Sequence, residues 1–129
     1  MPVPVLVVDV ANVMGSRPDG WWRDRPGAAT RLMASLVPLV GVEVDGPTGA
    51  VRIDRIIAVV EGQARTATAP PELDVVLSPA DGDTTIVEVA EQVLTGGDVP
   101  LVVTADRGLR ARLPIGSQLA GPGWLLALI

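Results

Sequence analysis

Acidic residues recur just beyond apolar runs in this sequence. Asp9 follows Val3-Pro4-Val5-Leu6-Val7-Val8, and Glu61 follows Ile56-Ile57-Ala58-Val59-Val60. Asp81 and Asp83 come shortly after Leu73 to Leu77, and Asp106 after Pro100-Leu101-Val102-Val103. Carboxylates carry most of the reactive potential here, because the chain has no His, Cys, Lys or Tyr. That removes Ser-His-Asp and Cys-His nucleophile systems, Schiff-base and Walker lysines, and zinc sites of the His/Cys kind. Hard oxygen ligands select magnesium, manganese or calcium. Any chemistry is therefore expected to run through carboxylates, around a divalent cation.

Each acid also has a structural reading. Asp is a preferred helix N-cap, and capping explains Asp83 and Asp106, taken singly, better than ligation does. Asp9 differs: no helix is expected to begin there and a long loop follows. An ionised Asp ending a strand buried on both faces needs partners to offset its desolvation. Ligation is the favoured reading for Asp9, against a carboxylate bonded to loop N–H groups. Glu61 ranks lower, because Arg65 lies four residues on and can pair with it. Jointly the case strengthens, since several carboxylates on one rim repel unless a cation or proton intervenes. Helix N-termini soften that repulsion.

Polar neighbours are candidates of a second kind. Asn12 either bonds the ring of acids or serves as a turn residue, and Thr104 either supplies a hydroxyl near Asp106 or simply ends a strand. Trp21 and Trp22, flanked by Arg17, Arg23 and Arg25, resemble a stacking platform for bases. The plainer alternative, slightly favoured, is that one Trp plugs the core and the other shields the loop. Arg107, Arg110 and Arg112 form a second basic group, which is equally well read as a solvated surface.

The elements that must position these residues follow from periodicity. Continuous apolar runs at Val3–Val8, Ile56–Val60, Leu73–Leu77 and Pro100–Val103 read as strands covered on both faces. Val10 to Arg25 reads as a long loop, a class often functional in compact domains. Pro26 opens a helix whose Ala29, Leu32, Met33, Leu36 and Val37 share one face and which Pro38 stops or kinks. Val42 to Ile53 reads as a surface hairpin turning at Asp45-Gly46-Pro47-Thr48-Gly49, and Gln63 to Pro71 as loop. Asp83 opens a helix with apolar Ile86, Val89, Ala90, Val93 and Leu94, ended by Gly96-Gly97. Arg107 to Leu113 reads as a short helix and Ser117 to Ala120 as a fifth strand. Pro122 to Ile129 is an apolar tail that either seals the core or makes a homodimer contact.

Alternating strands and helices indicate a parallel sheet with right-handed crossovers. Ligands of such sheets sit outside the carboxyl ends of the strands, where all these acids fall. At 129 residues the chain fits one domain, and 48% apolar residues suffice for a core built of Val, Leu, Ala and Ile, since Phe is absent and Trp numbers 3. No apolar run approaches the roughly 20 residues of a membrane span, and the first residues lack the basic stretch that opens a secretory signal. Cytoplasm is the expected compartment, with no membrane contact. A net charge of −5 argues mildly against nucleic-acid binding, although acids destined for metal account for some of it.

Val7-Val8-Asp9-Val10-Ala11-Asn12-Val13, Asp81-Gly82-Asp83-Thr84-Thr85-Ile86 and Val102-Val103-Thr104-Ala105-Asp106, in that order, resemble motifs of the PIN-like superfamily and of its bacterial NYN branch. The resemblance spans nearly the whole chain and rests on the order and spacing of short motifs. It implies a three-layer α/β domain over residues 1–129 with a mainly parallel sheet in the order 3-2-1-4-5. It also implies a metal-dependent ribonuclease cleaving phosphodiester bonds in RNA with Mg2+ or Mn2+. Asp9, Asp83 and Asp106 would then be the catalytic, metal-binding core, with Asp81 a further metal-side acid and Glu61 in an outer shell. Substrate contacts would come from Asn12, Thr104, Trp22 and Arg107 or Arg110, Arg being well shaped to clamp phosphate oxygens. The alternative is a non-catalytic PIN-like module binding RNA or a protein partner through the same rim. A phosphatase of the haloacid-dehalogenase type is set aside, because Ala11 stands where its second Asp belongs and its lysine is missing.

Overall fold

The computed structural model describes residues 2–129. In chain order these form β1 (Pro4–Asp9), α1 (Val10–Gly15), α2 (Arg25–Leu36), β2 (Val42–Gly46), β3 (Gly49–Ile53), β4 (Arg55–Val60) and β5 (Asp74–Leu77). There follow α3 (Gly82–Thr95), β6 (Val99–Val103), α4 (Arg107–Arg112), β7 (Gln118–Ala120) and α5 (Pro122–Leu126). Short 3-10 turns stand at Trp21–Arg23, Val37–Leu39 and Gly62–Thr66.

The apolar runs become a five-stranded parallel sheet in the order β5-β4-β1-β6-β7, which is the expected 3-2-1-4-5 when its strands are counted along the chain. Alternation of side chains divides the buried residues between two faces. Leu6, Val8, Ile56, Ala58, Val60, Leu101 and Val103 pack with the buried residues of α1 and α2. Val5, Val7, Ile57, Val59 and Val102 pack with Ile86, Val89, Ala90 and Val93 of α3 and Leu109 of α4. β1 lies at the centre, and every residue from Val5 to Asp9 is buried.

Local signals fix the helices. Asp24 caps α2 by accepting from the Gly27 N–H at 3.0 Å, and Pro26 occupies the first turn. α3 stops at Gly96 and Gly97, the latter at φ 91°, a conformation that glycine takes without a Cβ clash. The hairpin forms as expected, with Val42 opposite Ile53 in a separate antiparallel pair. The apolar tail covers the core: Leu125 is fully buried, and Trp124, Leu126 and Leu128 pack against the same cluster. The Trp124 indole N–H also donates to the Asp45 carbonyl at 2.8 Å, tying tail to hairpin.

Three expectations change. Val10 to Arg25 is not all loop, since Val10, Val13 and Met14, spaced i, i+3, i+4, bury one face of α1. The signal was confined to six residues ending in Gly15, too short for periodicity to stand out. The cap of α3 is Asp81 rather than Asp83. Residues 62–66 are a 3-10 turn that buries Ala64, not open loop.

Candidate active site

Sheet register builds the site from its centre. Val8 of β1 lies opposite Val103 of β6, so the next residues, Asp9 and Thr104, also come together. The Thr104 Oγ1 donates to Asp9 Oδ2 at 2.9 Å, with both side chains buried. The other carboxylate oxygen accepts from the Asn12 N–H at 3.3 Å, making Asp9 the N-cap of α1. The expectation that no helix begins at Asp9 therefore fails. Neither partner is charged, however. Burial pushes the Asp9 carboxyl up to about 6, overcoming both hydrogen bonds, and the negative charges of Asp83 and Glu61 act in the same direction.

Asp106 caps α4 by accepting from the Leu109 N–H at 2.9 Å, while its own N–H donates to Thr104 Oγ1 at 3.2 Å. Asn12 Oδ1 accepts from the Ala105 N–H at 2.8 Å, joining α1 to the turn after β6. Arg110 Nε and Nη2 both donate to the Thr104 carbonyl, at 2.9 and 2.6 Å. The sequence candidates Asn12, Thr104 and Arg110 thus form the frame of the rim. Arg110 spends its fork on backbone, whereas Arg107, at the start of α4, is exposed.

The opposite side is set by Glu61 and α3. Glu61 does not bond Arg65; its Oε2 accepts from the Gly82 N–H at 2.5 Å. A Cβ at Gly82 would stand 3.0 Å from the Glu61 carboxyl carbon, so a side chain there would push the Glu61 carboxylate back by a few tenths of an ångström. Asp81 turns to its own helix, accepting from the Thr84 N–H at 2.8 Å. That bond, more than any other influence, holds its carboxyl below the usual range. Asp83, partly buried in the first turn of α3, is raised by burial first, then by Asp106, Glu61 and Asp81. The Arg112 guanidinium opposes that rise, and its Nη2 donates to Thr84 Oγ1 at 3.2 Å. Sequence reasoning did not single out Arg112, because only the packing of α4 beside α3 brings it there.

Repulsion thus links Asp9 to Asp83 and Glu61, and Asp83 to Glu61 and Asp106, along one rim. They are not drawn into a ready-made ligand set: among the described residues, no three acids cluster closely enough to hold a metal ion. Helix capping explains this for Asp81 and Asp106, and the Thr104 and Asn12 bonds explain it for Asp9. The donor set still suits a hard cation, being all oxygen.

Beside the rim lies a cavity of about 270 Å³, lined by residues that include Met14, Trp21, Arg25, Glu61 and Ala64. Trp22, the tryptophan singled out from sequence, is 55% exposed and stands edge-on to Trp21 at 5.9 Å between ring centroids. The indole lining the cavity is that of Trp21. The Arg25 guanidinium lies over it, 5.3 Å from its ring centroid.

No helix among the described residues is long and apolar enough to cross a membrane. Comparison with protein-family models finds no match, and no curated protein matches either. The expected membership of the NYN branch of the PIN-like superfamily is thereby overturned: motifs of a few residues each do not carry a family assignment in this chain. Among solved structures, the chain is similar to a tryptophan-to-leucine mutant of Rae1 (YacP) from Bacillus subtilis. The match has a TM-score of 0.73 at 17% identity and covers 98% of this chain and 74% of that one. What the ordered motifs tracked is this α/β fold, a five-stranded parallel sheet between layers of helices.

Proposed function

We propose that the chain is a metal-dependent ribonuclease whose site is the rim formed by Asp9, Asp83 and Asp106, with Glu61 beside them. The observation carrying this reading is a buried aspartate, Asp9, with neutral hydrogen-bond partners and a carboxyl raised to about 6, sharing its field with acids from other elements. Such an arrangement is unfavourable by itself and is relieved by a cation. Mg2+ or Mn2+ would be held by Asp9, Asp83 and Asp106; when bound it supplies charge neutralisation at a phosphate and an activated water. Asp81, committed to its cap, would act from outside. Thr104 and Asn12 orient Asp9 and the turn bearing Asp106, and Arg107, Arg112 and Arg25 offer cations to an RNA backbone on either side of the acids.

The test is cleavage of single-stranded RNA by the purified protein with and without added Mn2+ or Mg2+. Cleavage is expected with metal alone, and is expected to vanish in folded Asp9→Asn and Asp106→Asn proteins. Persistence of cleavage in both would remove this mechanism. A second reading, a non-catalytic module binding RNA or a protein through the same rim, draws on the lack of a closely gathered ligand set among the described residues. It forecasts neither turnover nor stabilisation by metal.

A further inference from the structure

We propose that the cavity between Trp21 and Glu61 is a pocket for a single nucleobase carrying an exocyclic amine. The proposal rests on the nuclease reading for its RNA context, but not for its binding chemistry. The cavity and the rim share walls: Ala11 follows Asp9 by two residues, Ala80 precedes Asp81, and Glu61 belongs to both. A strand crossing the acids would therefore carry a neighbouring base to the cavity mouth.

Its surfaces suit a flat, partly polar ring. Trp21 and the Arg25 guanidinium that lies over it line the cavity together as a planar pair, and a base stacks on such groups without sequence preference. Arg25 forms no ion pair among the described residues, its guanidinium lying instead over the Trp21 ring. Met14 and Ala64, both buried, make an apolar wall, and a thioether adapts its shape to an aromatic edge. At about 270 Å³ the space lies below the roughly 300–1,000 Å³ of whole small-molecule sites. It is large enough for one ring system.

Selectivity comes from Glu61. One of its oxygens takes the Gly82 N–H, and an ionised carboxylate accepts several further hydrogen bonds but donates none. Amine groups of guanine, adenine and cytosine are donors, whereas uracil offers a ring N–H between two carbonyls that a carboxylate repels. Glu61 therefore favours the amine-bearing bases.

Neutral nucleosides are the appropriate probe, since they avoid phosphate repulsion by the acids and need no metal. The Trp21 indole N–H resonance of the full chain is followed by NMR during titration with guanosine, adenosine, cytidine and uridine, in the presence of EDTA. Saturable shifts of Trp21 are expected, with uridine weakest. Arg25→Ala is expected to weaken binding by about five-fold or more, the low end of what a stacking partner contributes. Glu61→Gln can retain the Gly82 bond through its carbonyl oxygen while replacing the free acceptor with a donor, so it is expected to erase the discrimination against uridine. Absence of saturable Trp21 shifts with every nucleoside would overturn the proposal, as would binding indifferent to both substitutions in proteins with otherwise unchanged spectra. Metal-dependent RNA cleavage without nucleoside binding refutes the pocket alone; nucleoside binding without cleavage upholds the pocket and removes the nuclease reading.

Discussion

Thr104 of one strand end and Asp9 of the next are joined by a buried hydroxyl-to-carboxylate hydrogen bond of 2.9 Å. The bond exists because β1 and β6 pair in parallel with Val8 opposite Val103, so the two following residues emerge at the same height. Thr104 also accepts from the Asp106 N–H, which makes one hydroxyl the link between two acids of the rim. Thr104→Val preserves shape and removes both bonds. A loss of about 1–3 kcal/mol is expected, because the Asp9 oxygen is left buried without its donor. Thr104→Ser should retain most of the stability, and urea denaturation of the two variants at neutral pH checks the contrast.

Metal should act on stability before any catalysis is measured. Thermal melting in EDTA, then with Mn2+ or Mg2+, is expected to show an upward shift for the wild-type chain. At a concentration 100 times the dissociation constant, binding to the folded state alone contributes about 2.7 kcal/mol. Asp9→Asn should abolish that shift, since an amide is a weaker ligand and carries no charge. An equal shift in both proteins would place metal binding elsewhere.

Acidity supplies a separate handle on Asp9. Its folded value of about 6 stands above the ordinary 3.8, so the folded chain favours the protonated form. The associated stability is fully present below about pH 3.8 and is lost as pH rises through 6. The whole shift corresponds to about 3 kcal/mol, of which about 2 kcal/mol falls between roughly pH 4.5 and 7.5. Asp9→Asn lacks this titration. In metal-free buffer its stability relative to wild type should therefore improve by about that amount across the same interval, as read from urea denaturation at each pH. A constant difference would show that Asp9 is not desolvated in solution.

Much of the fold was legible because burial on both faces writes continuous apolar runs. The central strands, the hairpin at Pro47-Thr48 and the stop at Gly96-Gly97 all follow from local signals. The same runs located Asp9, Glu61 and Asp106 at one end of the sheet without revealing how each carboxylate is occupied. Capping depends on where a helix starts, and six residues of α1 gave too brief a pattern for Asp9 to be recognised as its cap. The contacts of Arg112 with Thr84 and of Glu61 with Gly82 join residues 28 and 21 positions apart. No local pattern encodes such pairs. The motifs also overstated kinship: their order reflects the topology, which a chain of 17% identity shares.

Gly82 offers the sharpest test of how the rim is assembled. Replacing glycine by alanine in a helix interior ordinarily gains roughly 1 kcal/mol. Here the added methyl carbon would lie 3.0 Å from the Glu61 carboxyl carbon and Oε2, tighter than ordinary van der Waals contact. The Glu61 carboxylate must then shift by a few tenths of an ångström, which weakens its bond to the buried Gly82 N–H. The strained contact and the weakened bond are expected to outweigh the gain in propensity, which at Gly82, the first residue of α3, is smaller than in a helix interior. Gly82→Ala should thus be destabilised overall, whereas Gly82→Ala combined with Glu61→Ala should show a smaller penalty than the two single changes added together. Denaturation of the four proteins in a double-mutant cycle measures that coupling. Strict additivity, or a stabilised Gly82→Ala protein, would mean that Glu61 does not reach the start of α3.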